Sequence, residues 1–313
     1  MTGSNADCEL PDDVRHLLRS GECVAYLGSG LSAGVFPSWP CLVNDLCAAC
    51  GCEDRVDSRS PSKVLLAAAE CARKADCDRY HDQLGKIFGT ITTTNPLYSV
   101  LLQIPFKSYI TVNFDPLLAN ETRNPSSRCR RVMKYPDLDR AHVGDCTVYY
   151  LHGLVAEGDA PVPGTIVLAQ SEFDIAYAEA GPVTTFLLET FKREAVCFIG
   201  CSLEEPPLAQ VFRICRQQQE EITRLGGGSP PPRHIFRAKE LVTSSPGTDL
   251  TTVRAERIGA EDAFYSGLGI GVVRYDPIDA HHNGLRKMLE DVAELPGIPL
   301  QFGFGQMEDL YGG

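Results

Sequence analysis

A glycine turn near the start of the chain could bind a phosphate group. The apolar run from Cys23 to Leu27 is typical of a strand, and Gly28, Ser29 and Gly30 follow it, with small residues after them that can open a helix. Glycines let the backbone approach a ligand closely, and the first N–H groups of a helix attract phosphate. An ordinary strand-to-helix turn has the same composition, so this turn alone leaves both interpretations open.

Polar or glycine residues follow three further apolar runs that are typical of buried strands. Asn113 and Asp115 follow the run 108–112, His152 and Gly153 follow 146–151, and Gly200 and Ser202 follow 195–199. Ligands bind beyond the carboxyl ends of the strands in an open parallel sheet. Four such motifs in one chain therefore predict a ligand site, although none of them does so by itself.

Each motif also has a purely structural interpretation. Asn113 and Asp115 could cap a helix that begins at Pro116, because proline is common at the first helical position. The histidine of the second motif could be a hydrogen-bonded structural residue, and the last motif could be a plain turn. The joint arrangement favours a site over these separate interpretations.

The elements that must position these motifs alternate between strands and helices. Strands are predicted at 23–27, 108–112, 146–151, 165–168, 195–199, 234–237 and 272–275. Helical segments are predicted before residue 20 and at 42–88, 95–103, 183–192 and 284–295. The alternation predicts an α/β fold with a Rossmann-like parallel sheet and helices on both faces. The block 42–88 is too long for a crossover helix and indicates a helical insertion over residues 40–90.

We expect residues 1–313 to form a single domain. The segment 225–233 is rich in glycine and proline and is predicted to be flexible. The polar segment 241–262 is predicted to be a mobile loop or an irregular insert.

The composition limits the classes of function. Hydrophobic residues make up 43% of the 313 positions and charged residues 22%, which is ordinary for a globular protein. The net charge of −12 argues against binding to nucleic acid backbones, which needs a basic surface. The sequence has no leader-like segment and no apolar stretch of about 18 residues. We therefore expect a cytoplasmic protein that contacts neither nucleic acid nor a membrane.

The chain has 13 cysteines, which raises the question of a zinc site. A structural zinc site normally has two well-spaced Cys-x-x-Cys pairs, whereas Cys47 and Cys50 form one pair that no second pair follows. Cys71 and Cys77 are predicted to lie on a helix, where cysteine behaves as a small buried hydrophobic residue. We therefore expect reduced structural thiols and no metal.

Taken together, the motifs resemble those of the sirtuin-like superfamily. The resemblance rests on Gly28-Ser29-Gly30-Leu31-Ser32-Ala33-Gly34, Pro37-Ser38-Trp39, Thr111-x-Asn113-x-Asp115, Leu151-His152-Gly153 and Phe198-Ile199-Gly200-x-Ser202-Leu203. The chain is most similar to the sirtuin-like NAD-hydrolase domains of bacterial antiphage defence systems, and the similarity runs from about Cys23 to the final helix.

The resemblance implies that NAD is the substrate and lies across the edge of the sheet. The implied NAD-binding residues are Gly28, Ser29, Gly30, Ser32, Thr111, Gly200 and Ser202, and the implied catalytic residues are Asn113, Asp115 and His152. The glycine turn and Ser32 would hold the pyrophosphate, and Gly200 and Ser202 would approach the adenosine ribose. Asn113 and Asp115 would hold the nicotinamide ribose and order a water molecule. His152 would be the general base, a role that an unperturbed histidine pKa near about 6.5 suits.

Departures from the protein-deacylating sirtuins favour hydrolysis over transfer to an acyl-lysine. Those enzymes carry a four-cysteine zinc module after the His-Gly motif, and no cysteine lies between His152 and Cys197. The chain also lacks their Phe-Gly-Glu strand and has residues 36–39, Phe-Pro-Ser-Trp, in place of Asp-Phe-Arg. Two smaller departures are Ser29 in place of the usual alanine and Glu-Glu-Pro at 204–206 in place of Asp-Pro.

The expected function is therefore an NAD glycohydrolase that releases nicotinamide and ADP-ribose as a regulated, NAD-depleting effector of antiphage defence. A non-catalytic sensor of NAD or ADP-ribose and a protein deacylase or ADP-ribosyltransferase are the alternatives. Regulation by assembly is expected, either as a homo-oligomer or with a separate ATPase, helicase-like or Argonaute-like protein.

Overall fold

The chain folds around a parallel sheet of seven strands in the computed structural model. The structure describes residues 10–89, 96–124, 127–158, 160–203, 206–239, 250–276 and 283–293. The strands are β1 (Cys23–Leu27), β2 (Ser108–Thr111), β3 (Arg131–Lys134), β4 (Thr147–Tyr150), β5 (Ala195–Ile199), β6 (Arg233–Ala238) and β7 (Gly271–Tyr275). Their order across the sheet is β3-β4-β2-β1-β5-β6-β7, and every neighbouring pair is parallel. The α/β prediction is confirmed.

Helices connect the strands and cover the sheet. They are α1 (Asp12–Ser20), α2 (Trp39–Cys50), α3 (Ser62–Ala75), α4 (Cys77–Phe88), α5 (Pro96–Leu101), α6 (Leu117–Glu121), α7 (Gln170–Ala176), α8 (Pro182–Arg193), α9 (Pro206–Arg224), α10 (Leu250–Gly267) and α11 (Asn283–Ala293). Within the described ranges, no helix is both long and apolar enough to cross a membrane.

Helices pack on both faces of the sheet, as the sequence predicts. All five residues of β1 and of β5 are buried, which is the pattern of parallel strands covered on two sides. Ala25 and Leu27 face a core shared with α1, α5, α6 and α11. Val24 and Tyr26 face the opposite core, which includes residues of α7, α8, α9 and α10.

The predicted helical insertion consists of α2, α3 and α4, which share a hydrophobic core of their own. Polar contacts join this insertion to the helix α7. The carboxylate of Glu70 on α3 accepts hydrogen bonds from the Ser171 N–H at 3.2 Å and from the Ser171 hydroxyl at 2.7 Å, and Arg73 donates to the same carboxylate. The insertion is therefore held over one end of the sheet.

The predicted strand 165–168 is wrong, because no strand forms there. Ile166 and Val167 are buried, but the segment has no regular secondary structure and contacts the residues that follow β4 without forming a ladder. The Val167 N–H donates to the His152 carbonyl at 2.9 Å. The seventh strand is instead β3 at the edge of the sheet, whose charged ends Arg131 and Lys134 are exposed and gave no strand signal.

The predicted irregular segment 241–262 contains the first part of α10, so the prediction is wrong from Leu250 onward. Residues 240–249 lie outside the described part of the chain. The helix α9 also went unpredicted, since its apolar positions 208, 211, 212 and 215 are separated by a polar, charge-rich surface. The stretch 225–232 forms a turn and irregular backbone before β6. Residues 95, 294 and 295 of the predicted helix ends lie outside the description.

Two expectations about cysteines are also corrected. Cys129 and Cys146 form a disulfide, with 4.9 Å between their Cα atoms, so these two thiols are not reduced. Cys129 lies two positions before β3 and Cys146 directly before β4, and the register pairs Arg131 with Thr147, which brings the two strand starts together. Cys71 and Cys77 lie on helices but are exposed instead of buried.

The turn after β4 provides a test of how tightly the backbone packs at this end of the sheet. Gly153 has a φ of +89°, and a Cβ there would lie 2.0 Å from the Thr165 carbonyl oxygen. Gly164 has a similar φ of +82°, but a Cβ there would have no neighbouring atom within 4 Å. We expect Gly164→Ala to lower the free energy of unfolding by about 1 kcal/mol through φ strain alone.

Gly153→Ala adds the steric overlap and should lower the free energy of unfolding by about 3–4 kcal/mol. Urea denaturation of the two variants beside the wild type measures the difference. Equal losses in both variants would contradict the close contact between Gly153 and Thr165.

Candidate functional site

The carboxyl ends of β1, β2 and β4 open into a cleft of about 320 Å³ beneath the helical insertion. A volume of this order suits a small-molecule ligand. The lining residues are Ser29, Gly30, Ser32, Ala33, Gly34, Phe36, Pro37, Ser38, Trp39, Leu42, Phe88, Val112, Asn113, Phe114, Asp115, His152, Leu168 and Phe173. The cleft is next to the point where the sheet order reverses, since successive strands lie on one side of β1 up to β4 and on the other side from β5 onward.

Asn113 is held with its amide group in a fixed orientation. Its Nδ2 donates to the Gly28 carbonyl at 3.4 Å, to Ser32 Oγ at 3.1 Å and to the Tyr98 hydroxyl at 3.2 Å. A carbonyl oxygen only accepts, so Nδ2 and not Oδ1 must face Gly28. The Asn113 Oδ1 is buried and has no hydrogen-bond partner among the described residues. A buried acceptor of this kind at a cleft wall calls for a donor from a ligand or from water.

Asp115 connects the cleft to the following helix. One carboxylate oxygen accepts from Ser32 Oγ at 2.7 Å, and the other accepts from the Leu117 N–H at 3.2 Å, at the start of α6. The predicted cap is only partly right, because α6 begins at Leu117 with Pro116 as its N-cap, and Asp115 accepts from the first helical N–H from the position before the cap. Burial raises the pKa of Asp115, and the hydrogen bonds from Ser32 and Leu117 oppose that rise.

His152 is buried among aromatic rings. Its Nε2 lies 2.8 Å from the Tyr177 hydroxyl, and its ring centroid lies 5.0 Å from that of Phe173 and 6.1 Å from that of Phe114. Burial lowers the pKa of His152 to about 3, while a hydrogen bond with the Val112 backbone acts in the opposite direction. The imidazole is therefore neutral at pH 7, and the expectation of an ordinary pKa near about 6.5 is wrong.

The glycine turn after β1 is packed against the turn after β5. The Gly28 N–H donates to the Ile199 carbonyl and the Gly30 N–H to the Gly200 carbonyl, both at 2.9 Å. A Cβ on Gly28 would lie 2.5 Å from the Cys201 Cβ, so the close approach that requires glycine is between two loops of the protein. The expected helix after the turn is only a 3-10 turn, Ser29–Ser32, and the next α-helix begins at Trp39.

The structure brings together most of the residues that the sequence singles out. Ser29, Gly30, Ser32, Asn113, Asp115 and His152 line the cleft. Gly28, Gly200 and Thr111 lie behind it; the Thr111 hydroxyl donates to the Leu27 carbonyl at 3.0 Å and accepts from the Asn113 N–H. Ser202 is exposed outside the lining, and its carbonyl accepts from the Tyr265 hydroxyl.

Two tyrosines contact the site and were not found from the sequence. The Tyr98 hydroxyl lies 3.0 Å from Ser32 Oγ as well as next to Asn113, and Tyr177 contacts His152. Tyr98 lies in an apolar helix, where a tyrosine is ordinarily a core residue, and Tyr177 follows a helix that the sequence did not predict. Neither position carried a signal of its own.

The chain is similar in sequence and in fold to known proteins. Residues 107–240 match a family described as the SIR2-like domain. The NAD(+) hydrolase ThsA of Acinetobacter baumannii (strain 532279) is 22% identical over 216 residues, which cover 68% of this chain and 43% of that protein. The chain thus spans less than half the length of this relative.

Two solved structures align with most of the chain. A Sir2 homologue in complex with NAD gives a TM-score of 0.46 at 13% identity, covering 91% of this chain and 94% of its own. A structure on the mechanism and regulation of Sir2 enzymes gives a TM-score of 0.41 at 14% identity, covering 90% and 95% of the two chains.

The burial of His152 predicts an unusual titration. We expect the NMR chemical shifts of its imidazole, assigned by comparison with His152→Gln, to stay constant between about pH 8 and about pH 5, because the neutral ring persists down to a pKa of about 3. An unfolded histidine takes up its proton near about pH 6.5, so this site lowers the free energy of unfolding as the pH falls from about 6.5 towards 3. The raised pKa of Asp115 acts in the opposite direction, favouring the fold as that carboxyl is protonated. A titration midpoint of His152 between about pH 6 and about pH 7 would contradict the buried, neutral ring.

Proposed function

We propose that the protein binds NAD in the cleft and hydrolyses its N-glycosidic bond, and the match of residues 107–240 to the SIR2-like domain supports this proposal. The products are nicotinamide and ADP-ribose. The observation that carries the proposal is the buried Asn113 Oδ1, which lacks a partner within the described part of the chain and lies in the same cleft as Asp115 and His152. The name of the relative from Acinetobacter baumannii, NAD(+) hydrolase, supports the same reaction.

The reaction needs few functional groups. Nicotinamide leaves as a neutral molecule, positive charge develops at the anomeric carbon and ring oxygen of the ribose, and a water oxygen forms the new bond while its proton passes to solvent. The protein must therefore orient the ribose, place a water and exclude competing acceptors. Phe36, Trp39 and Phe88 give the cleft an apolar wall on the side of the helical insertion, which suits the exclusion of bulk water.

Asn113 is the residue that we propose for placing the attacking water. Its Nδ2 is committed to Gly28, Ser32 and Tyr98, which leaves Oδ1 to accept a hydrogen bond from a water or from a ribose hydroxyl. Asp115 supports this arrangement through Ser32, whose hydroxyl it holds at 2.7 Å. The hydrogen bonds of Nδ2 fix the amide before a ligand binds, and a donor reaches the buried Oδ1 through a small local opening of the cleft wall.

His152 acts in this proposal as a neutral hydrogen-bond partner of the nicotinamide ribose. A group with a pKa of about 3 holds a full proton poorly at pH 7, which weakens the general-base role that the resemblance implies. The ring nitrogen that now contacts the Tyr177 hydroxyl can exchange that contact for a ribose hydroxyl. His152 would then fix the position of the sugar relative to Asn113.

The pyrophosphate and the adenosine ribose of NAD are assigned to protein groups that are not already engaged in hydrogen bonds within the protein. The Gly28 and Gly30 amides are bound to carbonyls of the neighbouring loop, so we assign the pyrophosphate to the exposed Ser29 and to the cleft rim around Ala33 and Gly34. Ser32 supports the rim from its buried position. The adenosine ribose is assigned to the loop of Gly200 and Ser202, and Thr111 braces the Asn113 backbone from behind.

The finer proposal is that this hydrolase is a regulated effector of antiphage defence, located in the cytoplasm. It rests on the motif resemblance, and control would come from assembly into a homo-oligomer or with a separate regulatory protein. A non-catalytic sensor would not need the fixed Asn113 Oδ1 beside His152, and a protein deacylase would act on an acyl-lysine peptide. Adding an acyl-lysine peptide to the NAD assay separates hydrolysis from transfer.

We expect the purified protein, alone or with its co-purified neighbours, to convert NAD into equal amounts of nicotinamide and ADP-ribose. Asn113→Ala should lower kcat by about 10²–10³-fold, the loss typical of removing one preorganised hydrogen-bonding group. Asn44→Ala is the matched control, because Asn44 also holds backbone groups, those of Val56, but lies outside the cleft. Chromatography of the nucleotide products measures both variants.

Full activity of Asn113→Ala would contradict the proposed role of its side chain. NAD binding by calorimetry without turnover in any preparation would instead favour the sensor. Absence of both binding and turnover would overturn the proposal that NAD occupies this cleft.

A further inference from the structure

A second cluster of reactive side chains lies in the helical insertion, outside the nucleotide cleft. Cys52 and Asp54 lie in the loop between α2 and α3, and Cys71 lies on α3. The Cys52 thiol donates to Asp54 Oδ2 at 3.4 Å, and the Cys71 thiol lies close to the same carboxylate. One ligand atom from each residue lies within 4.8 Å of the other two.

We propose that Cys52, Asp54 and Cys71 bind a Zn²⁺ ion. Zinc–sulfur bonds of about 2.3 Å and zinc–oxygen bonds of about 2.0–2.2 Å place neighbouring ligands of a tetrahedral site roughly 3.4–3.8 Å apart. The three atoms here need only small side-chain rotations to reach that spacing. Two sulfur ligands favour a thiophilic ion such as Zn²⁺ over Mg²⁺ or Ca²⁺, which prefer oxygen.

Binding of the ion involves loss of protons from the thiols and no change of oxidation state. Each thiol releases one proton to solvent as its sulfur binds the ion, and the ionised carboxylate supplies the third bond. Cys47 is buried, its thiol donates to the Ala68 carbonyl at 3.6 Å, and it is outside the group of three residues whose ligand atoms lie within 4.8 Å of one another. Cys71 and Asp54 are exposed, which leaves the fourth coordination position open to a water molecule.

The proposed ion would stabilise the insertion and take no part in the chemistry of the cleft. It joins the loop residues Cys52 and Asp54 to the helix α3, and α2 on the other side of that loop carries Trp39 and Leu42 into the cleft wall. None of the three ligands lines the cleft. The proposal is therefore independent of the reaction that the cleft catalyses.

Titration of the metal-stripped full chain, with the Cys129–Cys146 disulfide intact and Cys52 and Cys71 free, with Co²⁺ and Zn²⁺ tests the site. We expect one Co²⁺ per chain with a thiolate-to-cobalt charge-transfer band, displaced by one equivalent of Zn²⁺. Cys71→Ser should weaken Zn²⁺ binding by at least about 100-fold, because loss of outer-sphere partners alone costs about 10–100-fold. Cys41→Ser is the matched control, since Cys41 is also an exposed thiol on the insertion but lies outside the cluster.

Asp54→Asn is a second variant that keeps the shape of the side chain and removes its charge. It should lower the affinity while keeping the charge-transfer band, because both sulfur ligands remain. A rise of the melting temperature with Zn²⁺ in wild type and Cys41→Ser, and none in Cys71→Ser, would support the site by a readout other than activity. No charge-transfer band in the wild type, or an unchanged band in Cys71→Ser, would overturn the proposal.

Discussion

The close contact between the turns after β1 and β5 is the constraint on which the rest of the site depends. Gly28 and Gly30 donate to carbonyls of the β5 strand end and turn, and a Cβ on either glycine would overlap that backbone. The contact fixes the 3-10 turn that follows, and this turn carries Ser32 into the interior. Gly28 itself presents its carbonyl to Asn113. The glycines therefore act first as packing residues, and their effect on a ligand is indirect.

A buried polar network connects the glycine turn after β1 to the residues of the cleft. Ser32, Tyr98, Asn113 and Asp115 bond to one another at distances between 2.7 and 3.2 Å, and all four are buried. In a low-dielectric interior such a network is rigid when its members are satisfied. Asn113 Oδ1 is the member that lacks a partner within the described ranges, so the demand for a donor is concentrated at one point of the cleft.

The sequence predicted the strands that are fully buried and the polar site residues that directly follow them. Buried parallel strands are continuous apolar runs, so the ends of β1, β2, β4 and β5, and with them Asn113 and His152, could be predicted. The edge strand β3 is half-exposed and charged, and the sequences of α9 and α10 contain many polar residues, so these segments were not recognised from the sequence. The buried run 165–168 has the composition of a strand, but it lies next to the end of β4 without pairing with it. The partners of the glycine amides and of His152 depend on tertiary contacts, which no local pattern contains.

The burial of His152 weakens it as a base but suits the reaction proposed for the cleft. A protonated imidazole beside the ribose would oppose positive charge at the anomeric carbon, because both charges would lie in a poorly solvated site. Aromatic packing against Phe114 and Phe173 lowers the pKa of His152 to about 3 and so keeps the ring neutral. Among the other polar groups of the cleft lining, Asn113 Oδ1 and the Asp115 carboxyl contribute oxygen acceptors. In the reaction proposed for the cleft, these oxygen atoms and the neutral imidazole would stabilise a developing cation, because none of them carries a positive charge.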